Sequence, residues 1–229
     1  MNTKNKISFS DTKLYIFDLQ QTLLNDFEPH FEAHKAIITE YYKGNIKEAL
    51  DEIIQLWGIS VFDVYKKLFG PTLSDNEINT LVERRDQIYL DIFTHSKPKL
   101  CEGAKEALMW LKSQNYTIAV VSGIRRNLLE IALKKSNLFV YIDYMLGADD
   151  TKKSKPDPEP FLLAASHFQL PPEHCVMIGD SFLDIRGAKK AGMKAIGVLT
   201  GFTAKNELLA EGADLVIDNL KELPKFVTT

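Results

Sequence analysis

The sequence predicts an α/β protein that has a Rossmann-like core with a parallel sheet and an inserted cap domain of four helices. Six short apolar segments have the length and composition of buried strands, and from residue 100 onward they alternate with helical patterns. Such alternation is typical of parallel strands joined by right-handed crossovers. A long helical segment separates Asp18, after the first strand, from Ser122, after the second. A crossover needs only about a dozen residues, so this segment is an insertion.

The predicted core elements follow one another in order along the chain. Strands are expected at residues 13–17, 117–121, 144–146, 175–178, 195–198 and 214–217. Helices are expected at residues 103–114, 125–136, 158–168, 183–191 and 206–211. The apolar runs are short and bounded by polar or glycine-containing loops, which favours strands that are buried on both faces.

The insertion has helical spacing throughout, with apolar residues three and four positions apart. Its breaks fall at Gly44, Gly58 and Gly70, where helix ends are expected. We predict a helical bundle over residues 29–96, connected to the core by stems at residues 25–28 and 97–100. The predicted domains are then the core, residues 1–24 and 100–229, and the cap, residues 25–99.

The composition indicates a globular protein that has neither a nucleic-acid nor a membrane partner. Hydrophobic residues make up 45% of the 229-residue chain, charged residues 26%, and the formal net charge is −3. There is no basic excess to favour nucleic acid, and no apolar run approaches the ~20 residues that cross a bilayer. Residues 1–12 lack a signal-peptide core. We expect a cytoplasmic monomer or homodimer, with its five histidines packed or at the surface.

Five polar residues follow predicted strands, at the carboxyl end of each strand. Asp18 follows the first strand and Ser122 the second, Lys155 comes a short loop after the third, and Asp180 and Asp184 follow the fourth. In an open parallel sheet, ligands bind in the crevice beyond the carboxyl ends of the strands. We therefore expect these five side chains to converge there.

These residue types suit the transfer of a phosphoryl group to a carboxylate. Asp18 can serve as a nucleophile or a metal ligand, and the two later aspartates add hard oxygen ligands of the kind that bind Mg²⁺. Ser122 and Gly123 precede a predicted helix, whose positive end suits a phosphate. Mg²⁺ and Lys155 would offset the repulsion between two anions, and Ser122 would orient the transferred group.

Each residue also has a purely structural alternative. Asp184, three residues after a serine, can simply cap its helix, and Ser122 can be only an N-cap. Asp18 can form an Asx-turn, and Lys155 can belong to a solvated charged loop. Arg125 either begins a solvated helix or reaches the crevice. The joint occurrence of these residues, in order and each beyond a strand, favours a functional site.

Four motifs carry a family resemblance. They are residues 17–23, with Asp18 and Gln20, then 120–123, 155–161 and 178–184. In this order they resemble the motifs of the haloacid dehalogenase-like (HAD) hydrolase superfamily. The similarity is to the branch of phosphoglycolate phosphatase and β-phosphoglucomutase, whose helical cap is inserted after the first motif. The match extends from about residue 13 to residue 223, and the third and fourth motifs are highly specific in combination.

The resemblance implies a role for each residue of the site. Asp18 would be the nucleophile that forms an aspartyl-phosphate. The Mg²⁺ ligands would be Asp18, the backbone carbonyl of Gln20, and Asp180, with Asp184 nearby or bound through water. The phosphoryl oxygens of a small phosphorylated metabolite would be held by Ser122, Gly123 and Lys155.

The chain departs from the family in the first motif. Phosphatases of this family carry a second aspartate where this chain has Gln20, and usually glycine where it has Gln21. That aspartate protonates the leaving oxygen and later activates water. Glutamine can do neither, and the loss of general acid–base catalysis typically costs about 10²–10⁴-fold in rate. The metal ligand persists, because it is a backbone carbonyl.

Three functions follow from this sequence. The first is a Mg²⁺-dependent phosphatase that is slow or restricted to esters with good leaving groups. The second is a phosphate-binding regulatory protein with weak or no catalysis, which Gln20 would explain. The third is hydrolysis of a C–P bond of the phosphonoacetaldehyde type, which uses a cap lysine as a Schiff base; Lys66 and Lys67 are the candidates.

Overall fold

The computed structural model describes residues 9–227. It contains one parallel sheet of six strands in the order β3-β2-β1-β4-β5-β6. The strands are β1 (Leu14–Phe17), β2 (Thr117–Val121), β3 (Tyr144–Leu146), β4 (Cys175–Gly179), β5 (Lys194–Val198) and β6 (Leu215–Ile217). Each predicted strand is confirmed to within one residue at either end.

Helices cover both faces of this sheet. The core helices are α5 (Ala104–Ser113), α6 (Arg126–Lys135), α7 (Glu159–His167), α8 (Phe182–Lys190), α9 (Lys205–Ala210) and α10 (Leu223–Val227). The first five were predicted, each to within one residue at either end. Helix α10 was not predicted, because five residues are too few to show helical spacing.

Alternate residues of the central strand enter two different apolar layers. Tyr15 and Phe17 pack with residues of α5, α6 and α10. Leu14 and Ile16 pack with residues of α7, α8 and α9. All four residues of β1 are fully buried, because a central parallel strand has a helical layer on either side.

The strand order places β1 at the topological switch point of the sheet. From β1 the chain builds outward through β2 and β3, and then returns to place β4 on the other side of β1. Phe17 at the end of β1 lies opposite Ile178 of β4 and opposite Val120 of β2. The loops that follow β1, β2 and β4 therefore open into one crevice.

Four helices lie between β1 and β2 and form the cap: α1 (Phe27–Tyr41), α2 (Ile46–Gln55), α3 (Val61–Phe69) and α4 (Asp75–His95). Residues from all four make a separate apolar core, which includes Ile37, Ile53, Tyr65 and Ile78. Tyr89 of α4 instead joins the core domain's apolar cluster. The inserted helices predicted from the spacing are thus present.

One stem of the cap is shorter than predicted. Helix α1 begins at Phe27, so Phe27 and Glu28 belong to the helix and not to a stem. Pro29 suggested a later start, but proline is tolerated in a first turn, where its missing N–H would have no acceptor. The two connecting segments pair with each other: Asn25 N donates to Lys99 O at 2.9 Å. The predicted domain boundaries near residues 24 and 100 fall at this paired segment and stay a prediction.

None of the helices within residues 9–227 is long and apolar enough to cross a membrane.

Candidate active site

Asp18 is the first residue beyond β1 and lies at the centre of the crevice. Its backbone N–H donates to the carbonyl of Ile178 at 3.0 Å, which fixes it beside the end of β4. The residue is 8% exposed, and its carboxylate accepts a hydrogen bond from Lys155, with 2.8 Å between Nζ and Oδ1. An Asx-turn is a local feature, so it does not account for this contact with a residue far along the chain.

Lys155 is buried and bridges three groups. Its Nζ donates to Asp18 Oδ1 at 2.8 Å, to Asp184 Oδ1 at 2.7 Å and to the carbonyl of Val121 at 2.8 Å. Burial lowers the pKa of the ammonium, but the two carboxylates outweigh burial and hold the pKa above its ordinary value. The alternative of a solvated loop is therefore wrong for Lys155, although Lys152 beside it is exposed.

Three carboxylates meet at this point. Ligand atoms of Asp18, Asp180 and Asp184 all lie within 4.8 Å of one another. Thr22 supports the group, since its Oγ1 donates to Asp180 Oδ1 at 2.9 Å. Burial raises the pKa of Asp18 to about 7, against the pull of Lys155, and burial together with the neighbouring carboxylates raises the pKa of Asp180 well above its ordinary value. One ammonium does not balance three carboxylates, and hard oxygen ligands with surplus negative charge suit Mg²⁺.

Asp184 both caps helix α8 and contacts Lys155 in the crevice, so its structural and functional alternatives hold together. Its Oδ2 accepts a hydrogen bond from the backbone N–H of Ser181 at 3.2 Å, which caps α8. Its Oδ1 accepts from Lys155. A capping carboxylate held in this way points its second oxygen into the crevice.

Two glycines allow the backbone to approach the carboxylates closely. A Cβ at Gly179 would lie 2.4 Å from Asp184 Oδ2, and a Cβ at Gly201 would lie 1.7 Å from Asp180 Oδ2. Real Cβ atoms do not approach oxygen so closely, so any side chain at either position would displace a carboxylate. Gly201 thereby belongs to the site although it follows β5.

The structure places Ser122 in a loop and not at a helix end. Helix α6 begins at Arg126, and its N-cap is Arg125, so the interpretation of Ser122 as an N-cap is wrong. Residues 123–125 separate Ser122 from Arg126, the first residue of α6. Ser122 is 4% exposed and accepts from Ile124 N at 3.5 Å. Gly123 lines the same cavity as Asp18.

Gln20 and Gln21 occupy the turn that follows the nucleophile position. Gln20 lines the cavity that holds Asp18 and Lys155. Gln21 has a positive φ of 57° and is 4% exposed. Its Nε2 has no hydrogen-bond partner within the described part of the chain. The position where the family usually has glycine therefore needs a glycine-like backbone but carries a buried side chain.

The cap closes over the crevice through the loop between α2 and α3. Trp57 and Gly58 of this loop line the cavity of the carboxylates. A Cβ at Gly123 would lie 3.3 Å from the carbonyl oxygen of Gly58, so the two loops nearly touch. Trp57 and Gly58 also line a second cavity, inside the cap, with His34 and Arg85.

The cap interior holds a buried polar network. His30 Nε2 contacts Asp26 Oδ2 at 3.1 Å, and Arg85 Nη2 donates to His30 Nδ1. The His30 ring stacks on Tyr89, whose hydroxyl donates to Asp26 Oδ2 at 3.3 Å. Burial and Arg85 lower the pKa of His30 well below its ordinary value, and burial raises the pKa of Asp26 to about 7. His30 is packed, as expected, but within a charged network.

Other predicted candidates lie outside the crevice. Lys66 is exposed and paired with Asp75, and Lys67 is exposed and lies 2.6 Å from Glu52. Neither supplies the amine that a Schiff base requires. Arg125 is half-buried and reaches the cap, where its Nε lies 3.6 Å from Asp86 Oδ2.

Several residues of the site were not predicted from the sequence. Thr22 was available, since it lies four residues after Asp18 in the first motif. Arg85 also left a signal: Leu81, Val82 and Tyr89 lie three or four positions away on the same apolar face of α4. This spacing places Arg85 on the apolar face of its helix.

Comparisons with known proteins agree on one family. The family model described as haloacid dehalogenase-like hydrolase matches residues 15–198. The chain is 28% identical over 208 residues to the pyrophosphatase PpaX of Bacillus mycoides, covering 91% of this chain and 93% of that protein. It is 27% identical over 179 residues to the phosphoglycolate phosphatase of Nitrosococcus oceani, covering 76% of this chain and 80% of that one.

Solved structures agree with this assignment. A hydrolase from Pseudomonas syringae has a TM-score of 0.82 at 26% identity and covers 95% of this chain and 100% of its own. The β-phosphoglucomutase of Clostridium difficile has a TM-score of 0.79 at 22% identity and covers 93% of each chain. At that identity the second likeness shows the fold alone.

Proposed function

The chain belongs to the haloacid dehalogenase-like hydrolase family, and we propose that it is a Mg²⁺-dependent phosphatase that acts on a small phosphorylated metabolite. The observation that carries the proposal is the buried Lys155 ammonium, which contacts Asp18 at 2.8 Å and Asp184 at 2.7 Å. Ligand atoms of Asp180 lie within 4.8 Å of both of these carboxylates. The site can thus place one phosphoryl group between the Lys155 ammonium and a Mg²⁺ ion held by the carboxylates. Relatives named as pyrophosphatase and phosphoglycolate phosphatase support the same reaction class.

The donor set fits the metal. Asp18 and Asp180 would hold Mg²⁺ with the backbone carbonyl of Gln20, and Asp184 lies close enough to take part directly or through water. Bound there, the ion would neutralise phosphoryl oxygens and reduce their repulsion from the carboxylates.

The reaction has two displacements at phosphorus. A carboxylate oxygen of Asp18 attacks, so that an Asp18 O–P bond forms while the ester P–O bond breaks, and the leaving oxygen keeps the electron pair. Lys155 holds Asp18 in place and offsets the negative charge, while Ser122 and Gly123 orient the group. Water then bonds to phosphorus, the Asp18 O–P bond breaks, and the proton passes to solvent with release of phosphate.

Gln20 makes the rate of the first displacement depend on the pKa of the leaving group. Without a carboxylic acid at this position, the ester oxygen departs unprotonated. A phenolate or phosphate leaves readily as an anion, and an alkoxide does not. The second step also slows because no carboxylate activates the water, so phosphorylated Asp18 accumulates.

The test is a panel of aryl and alkyl phosphates, with and without Mg²⁺. We expect turnover to need Mg²⁺, to fall steeply as the pKa of the leaving alcohol rises, and to show a burst of product. Gln20→Asp should flatten this dependence and raise alkyl ester turnover by about 10²-fold or more. Gln20→Asn keeps a neutral amide and serves as the matched control.

Equal turnover of aryl and alkyl esters by the unmodified chain would contradict the role given to Gln20. Binding of inorganic phosphate without turnover of any ester would instead support the regulatory alternative. Calorimetry measures phosphate binding without any chemistry, and the ester panel shows whether turnover accompanies it.

A further inference from the structure

The loop that follows β5 has neighbours in both the carboxylate cluster and the cap. It comprises residues 199–204, between β5 and α9. At Gly201 the backbone lies so close to Asp180 that a Cβ would be 1.7 Å from Oδ2. The next residue along the chain, Phe202, contacts the cap. One short segment therefore lies between a candidate metal ligand and the inserted domain.

The Phe202 ring packs against two aromatic residues of the cap. Its centroid lies 4.9 Å from that of Phe27, edge to face, and 6.2 Å from that of Trp57. Phe27 is the first residue of α1, and its ring centroid lies 4.7 Å from that of Trp57. Trp57 in turn lines the cavity of the carboxylates. The three rings therefore join the loop after β5 to the part of the cap that covers the site.

The same loop limits where the Asp180 carboxylate can lie. Asp180 Oδ1 accepts from Thr22 Oγ1 at 2.9 Å, and Oδ2 faces the backbone of Gly201. Two residues further along the loop, Thr203 Oγ1 accepts from the backbone N–H of Phe182 at 3.3 Å. Phe182 is the first residue of α8 and lies two residues after Asp180. The loop thus contacts the fourth motif on both sides of the Phe202 ring.

We propose that Phe202 is a positioning residue for the Mg²⁺ ligand Asp180. Its contact with the cap rings holds the loop after β5 in place, so that Gly201 keeps the Asp180 carboxylate oriented toward the ion. The inference deepens the proposed function and rests on it. It makes the affinity for Mg²⁺ depend on the cap, although no cap residue is a ligand. A pair of aromatic rings changes an equilibrium by about 2- to 10-fold, which sets the size of the effect.

The test is a titration of the full chain with Mg²⁺ by calorimetry, in the absence of substrate. In Phe202→Ala we expect the Kd for Mg²⁺ to rise about 3- to 10-fold, because the loop loses its contact with the cap. The ring is 54% exposed, so its removal leaves no cavity in the core. Phe202→Tyr keeps the ring, and its Kd should equal that of the unmodified chain. Gly201→Ala should raise the Kd about 10- to 100-fold, because its methyl group displaces the carboxylate directly.

Two controls separate positioning from a general loosening of the surface or of the cap. Leu209→Ala removes another half-exposed apolar side chain, on α9. Ser154→Ala removes a different contact between core and cap, in which Ser154 Oγ donates to Asp63 Oδ2 at 3.0 Å. Both variants should bind Mg²⁺ as the unmodified chain does. An equal rise of the Kd in Ser154→Ala and Phe202→Ala would overturn the inference.

A double-mutant cycle tests whether Phe202 acts through the cap. If it does, Phe202→Ala should raise the Kd much less in a chain that already carries Phe27→Ala, because the main ring contact is then absent. Independent effects of the two substitutions, with the changes multiplying, would overturn the inference.

The binding measurement also separates this inference from the proposed function, since it involves no turnover. A rise of the Kd in Phe202→Ala that Phe202→Tyr does not show, in a chain that hydrolyses no ester, would retain the positioning role and reject the phosphatase. Ester turnover that needs Mg²⁺, with the same Kd in Phe202→Ala and the unmodified chain, would do the reverse. Failure of the unmodified chain to bind Mg²⁺ would overturn both.

Discussion

The core and the cap each bury a charged cluster, and the two clusters differ in their balance of charge. At the sheet edge, three carboxylates surround one ammonium, that of Lys155. In the cap, one guanidinium, that of Arg85, lines a cavity whose other described lining residues are uncharged. The first cluster has a surplus of negative charge that suits a metal ion, whereas in the second the guanidinium donates to Asp86 and His30. Four residues line both cavities, so the two clusters lie close together.

The two clusters also differ in how they are built. In the core, parallel strands bring their carboxyl ends to one edge, so the sheet places Asp18 and Asp180 side by side. In the cap, Arg85 meets His30 only because α4 packs against α1 in one particular register. Backbone topology therefore fixes the core cluster, and side-chain packing between helices fixes the cap cluster.

The largest effect is expected at Asp18, because the proposed chemistry takes place in the core cluster. Asp18→Asn should lower turnover by at least about 10³-fold, because an amide does not form the phosphoryl intermediate. The matched control is Asp218→Asn, since Asp218 is exposed and follows β6, at the same edge of the sheet but away from β1. Initial rates with p-nitrophenyl phosphate measure both. Equal losses in the two variants would contradict the assignment.

The next effect concerns the balance of charge in the core. Lys155→Met leaves three buried carboxylates without their ammonium, so the free energy of unfolding should fall by about 3–5 kcal/mol in the absence of divalent ions. Added Mg²⁺ should recover much of this loss. Denaturant unfolding measures it, with Lys152→Met as the exposed control. A loss no larger than that of the control would mean that Lys155 does not stabilise the cluster.

The predictable residues of the site are those whose position along the chain decides their place in the fold. Asp18 and Asp180 directly follow strands, and the strands were recognisable from their apolar runs. The sequence also marked Lys155 as a candidate, but a loop with three nearby lysines does not show which of them is buried. The structural alternative of an N-cap at Ser122 is wrong, because residues 123–125 lie between it and α6. Arg85 required knowledge of which helices pack together.

An effect of intermediate size is expected in the cap network, where the free energy of unfolding should depend on pH. Burial raises the pKa of Asp26 to about 7, from 3.8, so the folded state holds a proton that the unfolded state releases. The stabilisation from this proton is complete below the unfolded pKa and is lost as the pH rises toward 7. Asp26→Asn should therefore raise the free energy of unfolding at pH 8 by about 1–3 kcal/mol, and by much less at pH 4.

Unfolding curves at several pH values test this, with Glu28→Gln as the control, because Glu28 is exposed and lies two residues after Asp26 in the first turn of α1. A constant difference between Asp26→Asn and the unmodified chain across this range would show that Asp26 is ionised in the folded state. The cap network would then resemble the ion pairs of the core.

The smallest effect is expected at Gln21, which lies in the core but adjoins the cap. Its φ of 57° is a left-handed conformation, which costs a residue with a side chain about 1–2 kcal/mol relative to glycine. Gln21→Gly should remove this conformational cost. The gain in stability is reduced by about 0.4–1 kcal/mol, because glycine gives the unfolded chain more freedom.

The control is Gln169, which has a φ of 55° and is exposed, so Gln169→Gly measures the backbone effect alone. Because Gln21 also buries an unpaired amide, Gln21→Gly should stabilise more than Gln169→Gly. The reverse order, measured by thermal unfolding, would show that packing of the Gln21 side chain outweighs both penalties.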